Sequence, residues 1–215
     1  MPRAARAPEL TKTLILEAAL ALADADGIEA VTMRRIADIL AVSQMAAYRH
    51  VRTKDEIVQG LGEYAWQILE ADLDPTLTWD EQLRRVFVHM HEMHRQHPGL
   101  VDILLARPVS GLPVYRTMER LVEILRAAGF SLEGSIQALA SLESYTFGFT
   151  VHQRIRAGRD PDREHRLIHE LPADDFPNLH AAASKIVDWA SEKRFIAGLD
   201  WAIGSLRRDL SDHGQ

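Results

Sequence analysis

The chain has 215 residues, 47% of them hydrophobic, and its 25 Lys and Arg residues against 31 Asp and Glu give a formal net charge of -6. Because there is no cysteine, disulfides, thiol catalysis and cysteine-ligated zinc are excluded from within the chain. No stretch approaches the roughly 18 consecutive apolar residues that span a bilayer, so we expect a soluble, cytoplasmic protein of one or two domains.

The N-terminal region predicts a short arm followed by a first helix. Residues 1–9 are either a disordered end or an arm whose Arg3 and Arg6 enter the minor groove of a nucleic acid. Residues 10–25 place Leu, Ile and Ala side chains on one helical stripe, and Gly27 ends the predicted helix. We expect this apolar face to cover the helices that follow.

The next segment predicts two helices joined by a tight turn. Residues 32–40 predict a helix behind a Thr32 N-cap, and residues 44–50 predict a second helix behind Ser43. The turn between them has the length found in helix-turn-helix motifs. The alternative interpretation is a helical hairpin that never contacts DNA.

The outer face of the second helix carries side chains that suit the major groove of DNA. Gln can make bidentate hydrogen bonds to adenine, apolar groups can meet the thymine methyl, and Tyr can reach a phosphate. The formal charges of residues 1–55 sum to +1, while those of the remaining residues sum to -7. We therefore expect this N-terminal part, called the head below, to be the part that binds DNA. The predicted DNA-binding residues, of which Gln44, Tyr48 and Arg34 make the most direct contacts, are Thr32, Arg34, Gln44, Met45, Ala46, Tyr48, Arg49, His50 and Lys54.

The run VTMRRIADILAVS followed by AAYRHVRTKDEIV resembles the DNA-binding signature of the TetR family of transcriptional regulators. That resemblance implies a DNA reader whose affinity responds to a small molecule. Two positions depart from the family pattern, since Ala41 stands where Gly is usual and Ala47 where a larger aliphatic residue is usual. A left-handed backbone at Ala41 would cost about 1 to 2 kcal/mol.

The rest of the chain predicts an all-α body with no internal repeat. Capping boxes at residues 53–56 and 78–81 begin helices that run to about residues 71 and 96. Further helices are predicted over residues 100–106, 113–128, 131–157, 179–190 and 192–209, with a charged loop over residues 158–176. We therefore expect a DNA-binding domain at residues 1–55 and a ligand-binding and dimerisation domain at residues 56–215.

Two of the late helices carry stripes of small side chains, which allow helix backbones to approach closely. The stripes serve either ordinary packing within the chain or a subunit interface in a two-fold dimer. A dimer would place two recognition helices roughly 34 to 36 Å apart on a palindromic operator. The residues assigned to this interface are Gly134, Ala138, Ser141, Gly148, Leu199, Ala202, Ile203 and Leu206.

The segments RPVSGLPVYRTMERLVEILRAAGFSLEGSIQALASLESYTFGF and FIAGLDWAIGSL resemble the C-terminal domain of the tetracycline-repressor branch of the family. In that branch the last two long helices build a four-helix dimer core. The branch also implies a drug site, in which Ile103 stands at the position of the metal-binding His and His152 at that of a supporting Glu. Because Ile cannot ligate Mg²⁺, the resemblance argues against a magnesium-tetracycline effector.

The same positions predict a pocket for a hydrophobic or aromatic small molecule, formed by apolar side chains with a few polar groups. The alternative is that these side chains only fill the core. We also expect the helix over residues 54–71 to act as a lever between pocket and head. The predicted ligand-binding residues are Trp66, Glu70, Val86, Met90, His94, Ile103, Arg107, Met118, Leu121, Tyr145, Phe149 and His152.

Four histidines crowd the segment VHMHEMHRQH, which suggests a metal site or a metal-dependent hydrolase as the alternative function. Their spacing argues against both, since no His pair has the i, i+4 spacing of a helical metal site. No Gly-rich phosphate loop, nucleophile elbow or HExxH motif stands out. We therefore expect neither catalysis nor a cofactor, and we assign His94 as a hydrogen-bonding group of the pocket.

Overall fold

The computed structural model describes residues 10–106 and 109–213, and within these ranges the chain forms helices and no strand. This confirms the predicted all-α class. A short 3-10 turn, Ile28–Ala30, follows the first helix. The helices are α1 (Lys12–Asp26), α2 (Met33–Ile39), α3 (Gln44–Tyr48), α4 (Lys54–Ala71), α5 (Trp79–Gln96), α6 (Pro98–Ala106), α7 (Leu112–Ala127), α8 (Leu132–Ala157), α9 (Pro161–His169), α10 (Pro177–Val187) and α11 (Glu192–His213).

The N-terminal helices begin where short polar side chains can accept hydrogen bonds from otherwise unpaired backbone N–H groups. The Thr32 side chain accepts from the backbone of the third helical residue of α2, and Ser43 does the same for α3. Thr53 caps α4 in the same way. All three caps were predicted from the sequence, and all three are confirmed.

The helix α9 lies in the segment that was predicted to be a loop, so this prediction was wrong. Asp160 accepts a hydrogen bond from the backbone N–H of Asp162, and Pro161 occupies the first turn, where a missing N–H costs nothing. The Arg156 side chain in α8 also forms an ion pair with Glu164 in α9. The high charge of this segment concealed a short amphipathic helix.

The described chain divides into two compact units, and the first comprises residues 10–72, 93–106 and 109–120. In this unit α4 and α6 both pack against α1. Its core joins apolar residues of the helix-turn-helix to α1, α4 and α6, with Ile15, Ile36, Ala47, Val51, Ile57 and Ile103 all fully buried. The predicted domain boundary at residue 55 therefore differs from this grouping, because α4 and α6 share the core of the head.

The second unit comprises residues 73–92 and 121–213. Here α8 and α11 pack against each other, and α9 packs against α10. Trp79 meets Phe130 edge to face with ring centroids 5.1 Å apart. The fully buried side chains of this unit include Leu83, Leu125, Leu142, Phe195 and Leu199. Within the described ranges, none of the helices is long and apolar enough to cross a membrane.

Candidate DNA-binding surface, effector-binding residues and dimer face

The turn between α2 and α3 is closed by backbone hydrogen bonds that require a left-handed residue. Val42 N–H donates to the Ala37 carbonyl at 3.0 Å, and Ala41 N–H donates to the Asp38 carbonyl at 3.3 Å. This pattern is a Schellman motif, in which the residue after the C-cap is usually Gly. Ala41 occupies that place with φ of 52°, so the turn holds a strained alanine in the left-handed conformation that favours Gly.

The two helices of the motif are held together by small buried side chains. Ala37, Ala47 and Val51 are no more than 1% exposed. Because these residues bury the inner face of α3, its polar side chains remain outside. All the predicted DNA-binding residues are exposed except Ala46, which is half-buried. Met45 and Tyr48, at 71% and 43% exposed, form an apolar part of this surface.

Two of the cations near this surface already have acidic partners. Arg35 forms an ion pair with Asp26, and Lys54 Nζ lies 3.0 Å from Glu29 Oε2. Lys54 is one of the predicted DNA-binding residues, so the Glu29 carboxylate would compete with a DNA phosphate for its charge. Sequence spacing did not indicate this pairing, because the two residues lie 25 positions apart.

Five of the predicted effector-binding residues lie in the first unit. Ile103 is fully buried and belongs to the shared core of the head, while His94 is 5% exposed. Trp66, Glu70 and Met118 are half-buried. The Trp66 carbonyl accepts a hydrogen bond of 3.1 Å from the Thr117 hydroxyl, which joins α4 to α7. Arg107 lies outside the described residues.

The second unit holds the other six, and it brings two of them together in an aromatic cluster. Tyr145 and Phe149 have ring centroids 5.8 Å apart, and both contact Phe195. Burial raises the pKa of the Tyr145 phenol, whose hydroxyl donates to the Phe195 carbonyl at 2.9 Å. Val86, Met90 and Leu121 are buried elsewhere in this unit, whereas His152 is exposed.

The aromatic cluster also contains polar residues that sequence reasoning did not assign to it. His91 stacks on Phe195 with centroids 3.8 Å apart, and its Nδ1 lies 2.9 Å from the Thr150 hydroxyl. One turn before Thr150, the Thr146 hydroxyl is buried without a hydrogen-bond partner. Only packing reveals that Thr150, 59 positions further along the chain, bonds to His91.

The predicted dimer residues all belong to the second unit but do not share one environment, and at Gly148 an added Cβ would meet nothing within 4 Å. An open groove of about 600 Å³ runs between α8 and α11, and five of the eight assigned residues line it, namely Gly134, Ala138, Ser141, Ala202 and Leu206. Leu199 and Ile203 are instead buried inside the unit, at 0% and 3% exposed. On α11, Gly198 packs on Tyr145, so part of the small-residue stripe serves packing within the chain.

The histidine run separates into different environments. His91 bonds to Thr150 in the second unit, while His97 Nδ1 lies 2.7 Å from Asp24 Oδ2 in the first. In the part of the chain that the structure describes, no group of three or more His, Asp or Glu side chains is arranged to hold a metal ion.

In comparison with known proteins, both the N-terminal and the C-terminal part of the chain match models of related families. A family model described as bacterial regulatory proteins, tetR family, matches residues 15–61. A second, described as tetracyclin repressor-like, C-terminal domain, matches residues 73–208. The HTH-type transcriptional repressor DrrR1 of Streptomyces coeruleorubidus is 30% identical over 150 residues, which cover 68% of this chain and 55% of that protein. The match thus spans about half the length of DrrR1.

Two further relatives match over almost their whole length. The class D tetracycline repressor protein of Escherichia coli is 27% identical over 209 residues, covering 94% of this chain and 91% of that protein. The crystal structure of apo ActR from Streptomyces coelicolor superposes with a TM-score of 0.79 at 30% identity, covering 97% of this chain and all of that one. ActR in complex with actinorhodin superposes with a TM-score of 0.74 at 29% identity, covering 94% and 96%.

Proposed function

The chain belongs to the TetR family of bacterial regulatory proteins and is therefore a ligand-responsive, DNA-binding transcriptional regulator rather than an enzyme; from this premise we propose that it is a homodimeric repressor, released from a palindromic operator by a hydrophobic small molecule. The observation that carries the proposal is that the outer face of α3 is exposed while Ala37, Ala47 and Val51 are buried. Gln44 reads a base edge, while Tyr48 and Arg49 contact the backbone.

The homodimer is supported by the groove between α8 and α11. Small residues line it, and exposed apolar side chains stand on the same two helices, since Ile136 is 48% exposed and Trp201 is 78% exposed. Large apolar side chains exposed on a helix pair are typical of a subunit interface. A two-fold axis through this face gives two recognition helices for a palindrome.

An apolar or aromatic effector is supported by the side chains that replace metal-binding groups. Ile103 offers no ligand to a cation, and the second unit presents the Tyr145–Phe149–Phe195 rings with His91, which is hydrogen-bonded to Thr150, stacked on Phe195. Such a set binds a flat apolar body and orients it through a few hydrogen bonds. ActR, which has been solved with actinorhodin bound, is a relative that binds a small molecule.

The coupling between effector and DNA runs through α4. One end of this helix follows the helix-turn-helix. In its first half Gly60 lies against α1, since a Cβ added at Gly60 would lie 2.9 Å from the Leu16 Cδ2 atom. Nearer its other end, the Thr117 hydroxyl of α7 donates to the Trp66 carbonyl, while the Gln59 side chain, next to Gly60, donates to the Ser110 carbonyl. A shift of α7 therefore moves α4, and this changes how the two heads of the dimer fit the operator.

The first experiment selects operators from a pool of random duplex DNA at physiological salt. Enrichment of a palindrome supports the dimeric reader, whereas weak, salt-sensitive binding without enrichment contradicts it. On the enriched sequence, Gln44→Ala is expected to cost about 1 to 3 kcal/mol and to relax one base position. Gln67→Ala, which alters an exposed glutamine of α4, is the matched control and leaves the affinity unchanged. Equal loss on every sequence would show that Gln44 touches only the backbone.

The effector is tested with compounds that raise the melting temperature of the protein. Those that bind are added to the operator complex, and release in proportion to occupancy supports the proposal. A tight ligand that leaves operator affinity untouched contradicts the coupling. Magnesium-tetracycline is expected not to release the operator, because Ile103 cannot ligate the metal.

A further inference from the structure

A groove in the first unit lies between α1 and α4, apart from every residue assigned to the effector. Its cavity volume is about 290 Å³, close to the lower end of the range for small-molecule sites. The floor is apolar and comes from Leu20, Leu61, Ala65, Met93 and Leu100. The groove is therefore large enough for one small organic molecule with an apolar body.

The polar edge of this groove is acidic. Glu17 and Asp24 lie one above the other on α1, seven positions apart, and both line the groove. The Tyr64 hydroxyl donates to Glu17 Oε1 at 3.2 Å, and Asp24 accepts from His97 Nδ1 and from the backbone of Gly99. No Lys or Arg is among the described residues that line it. The edge thus carries the Glu17 carboxylate beside the Tyr64 ring, and the Asp24 carboxylate, which is paired with the His97 imidazole.

Both the hydrogen bond and the burial act on Tyr64. Burial is the largest cause that raises the pKa of its phenol, and the Glu17 carboxylate raises it further. The phenol therefore stays protonated at neutral pH and adds no negative charge of its own. Its ring remains available to a cation, since a ring face attracts an ammonium group within about 6 Å.

We propose that this α1–α4 groove binds a small organic cation with an apolar body, such as an arylalkyl amine. The ammonium group pairs with Glu17 beside the Tyr64 ring, and the apolar body lies on the floor formed by Leu20, Ala65 and Met93. An anion of the same shape is repelled by the Glu17 carboxylate. A neutral analogue gains only the apolar contact.

A ligand in this groove is expected to affect the stability of the head, because the walls of the groove, α1 and α4, pack in one core with the helix-turn-helix. α1 and α4 share the core of the first unit with Ile36 and Ala47. A ligand that binds the folded groove alone stabilises the packing of α1 on α4 by mass action. Binding is therefore accompanied by a higher melting temperature, whatever its effect on DNA.

The test uses 2-phenylethylamine as the probe, with 2-phenylethanol and 3-phenylpropionate as its neutral and anionic counterparts. Isothermal titration calorimetry of the full chain is expected to give tighter binding for the amine than for the alcohol and none for the acid. The amine's affinity is expected to fall as salt is raised, because the ion pair is partly exposed. Equal affinity of amine and alcohol would overturn the proposal.

Two substitutions locate the binding. Ala21→Phe adds a ring at an exposed position on the groove wall and is expected to abolish amine binding. Glu17→Gln removes one charge and is expected to weaken it by about two- to five-fold. Glu119→Gln, the same change at an exposed carboxylate of α7 outside the groove, leaves binding unchanged. Unaltered affinity in Ala21→Phe would place the amine elsewhere and refute the site. None of these measurements involves DNA, so their result is independent of the proposed repressor function.

Discussion

Asp24 and His97 lie 73 positions apart in the chain, and Asp24 Oδ2 is 2.7 Å from His97 Nδ1. The other oxygen of the same carboxylate accepts a hydrogen bond of 2.9 Å from the backbone N–H of Gly99, in the first turn of α6. A side chain at the end of α1 thus caps a helix that the chain forms much later. An added Cβ on Gly99 would lie 2.6 Å from Ala23 Cβ, so the two helices are also in close contact.

Replacing this carboxylate tests how strongly it anchors α6. Asp24→Ala leaves a partly buried imidazole and a helix N–H without their acceptor, so we expect the free energy of unfolding to fall by about 1 to 3 kcal/mol. Urea denaturation measures the change. Asp26→Ala is the control, because its ion pair with Arg35 is half-exposed and contributes at most about 1 kcal/mol. Equal losses in the two variants would show that Asp24 has no special role.

At the strained turn of the helix-turn-helix, a substitution is expected to increase the free energy of unfolding. Ala41→Gly relieves a left-handed conformation at φ of 52°, although Gly also makes the unfolded chain more flexible. We expect a net gain of about 0.5 to 1 kcal/mol in the free energy of unfolding, measured by urea denaturation. DNA affinity stays the same, because the turn hydrogen bonds are unchanged. A loss of stability would mean that the Ala41 methyl group makes contacts that outweigh its strain.

The pair between Lys54 and Glu29 predicts a substitution that strengthens DNA binding. Glu29 is 92% exposed, and in Glu29→Gln the ammonium of Lys54 is freed for a phosphate. Affinity is expected to rise on operator and random DNA alike, and the slope of log affinity against log salt to steepen by about one unit. Fluorescence anisotropy over a salt series measures both. Glu119→Gln removes an acid elsewhere, and an equal rise there would point to net charge alone.

Two glycines of α11 are expected to respond oppositely to the same substitution. A Cβ on Gly198 would meet the Tyr145 hydroxyl, so Gly198→Ala displaces that ring from its hydrogen bond to the Phe195 carbonyl. We expect a loss of about 1 to 3 kcal/mol. At Gly204 the nearest atom is 3.8 Å away, so Gly204→Ala adds helix propensity and gains up to about 1 kcal/mol. Thermal unfolding ranks the two, and a similar loss in both would refute the contact.

Asp80 gives a prediction about acid stability. Its partial burial acts to raise the pKa of the carboxyl, but hydrogen bonds from Thr78 and Arg207 outweigh this and hold that pKa below its ordinary value. The carboxylate therefore contributes stability above the unfolded-state pKa, near 4, and that contribution is lost as pH falls through the lower folded-state pKa. Between about pH 5 and pH 3, the wild type should lose stability faster than Asp80→Asn. Parallel curves from urea denaturation at each pH would contradict this.

The sequence by itself determined the features that depend on neighbouring residues. Thr32, Ser43 and Thr53 each cap the helix that follows them, and such a bond spans only three positions. The buried Ala47 and Val51, and with them the exposed face of α3, follow from helical periodicity. The left-handed conformation of Ala41 was only a possibility in the sequence, and the backbone hydrogen bonds of residues 37–42 decided it.

Only the tertiary structure decided the features that join distant residues. The Asp24–His97 bond, the Lys54–Glu29 pair and the stacking of His91 on Phe195 each connect separate helices. Periodicity marked Leu199 and Ile203 as apolar, but it cannot say which apolar stripe faces the core and which faces a partner. A helix presents several faces at once, and the elements packed against it determine which of them remain at the surface.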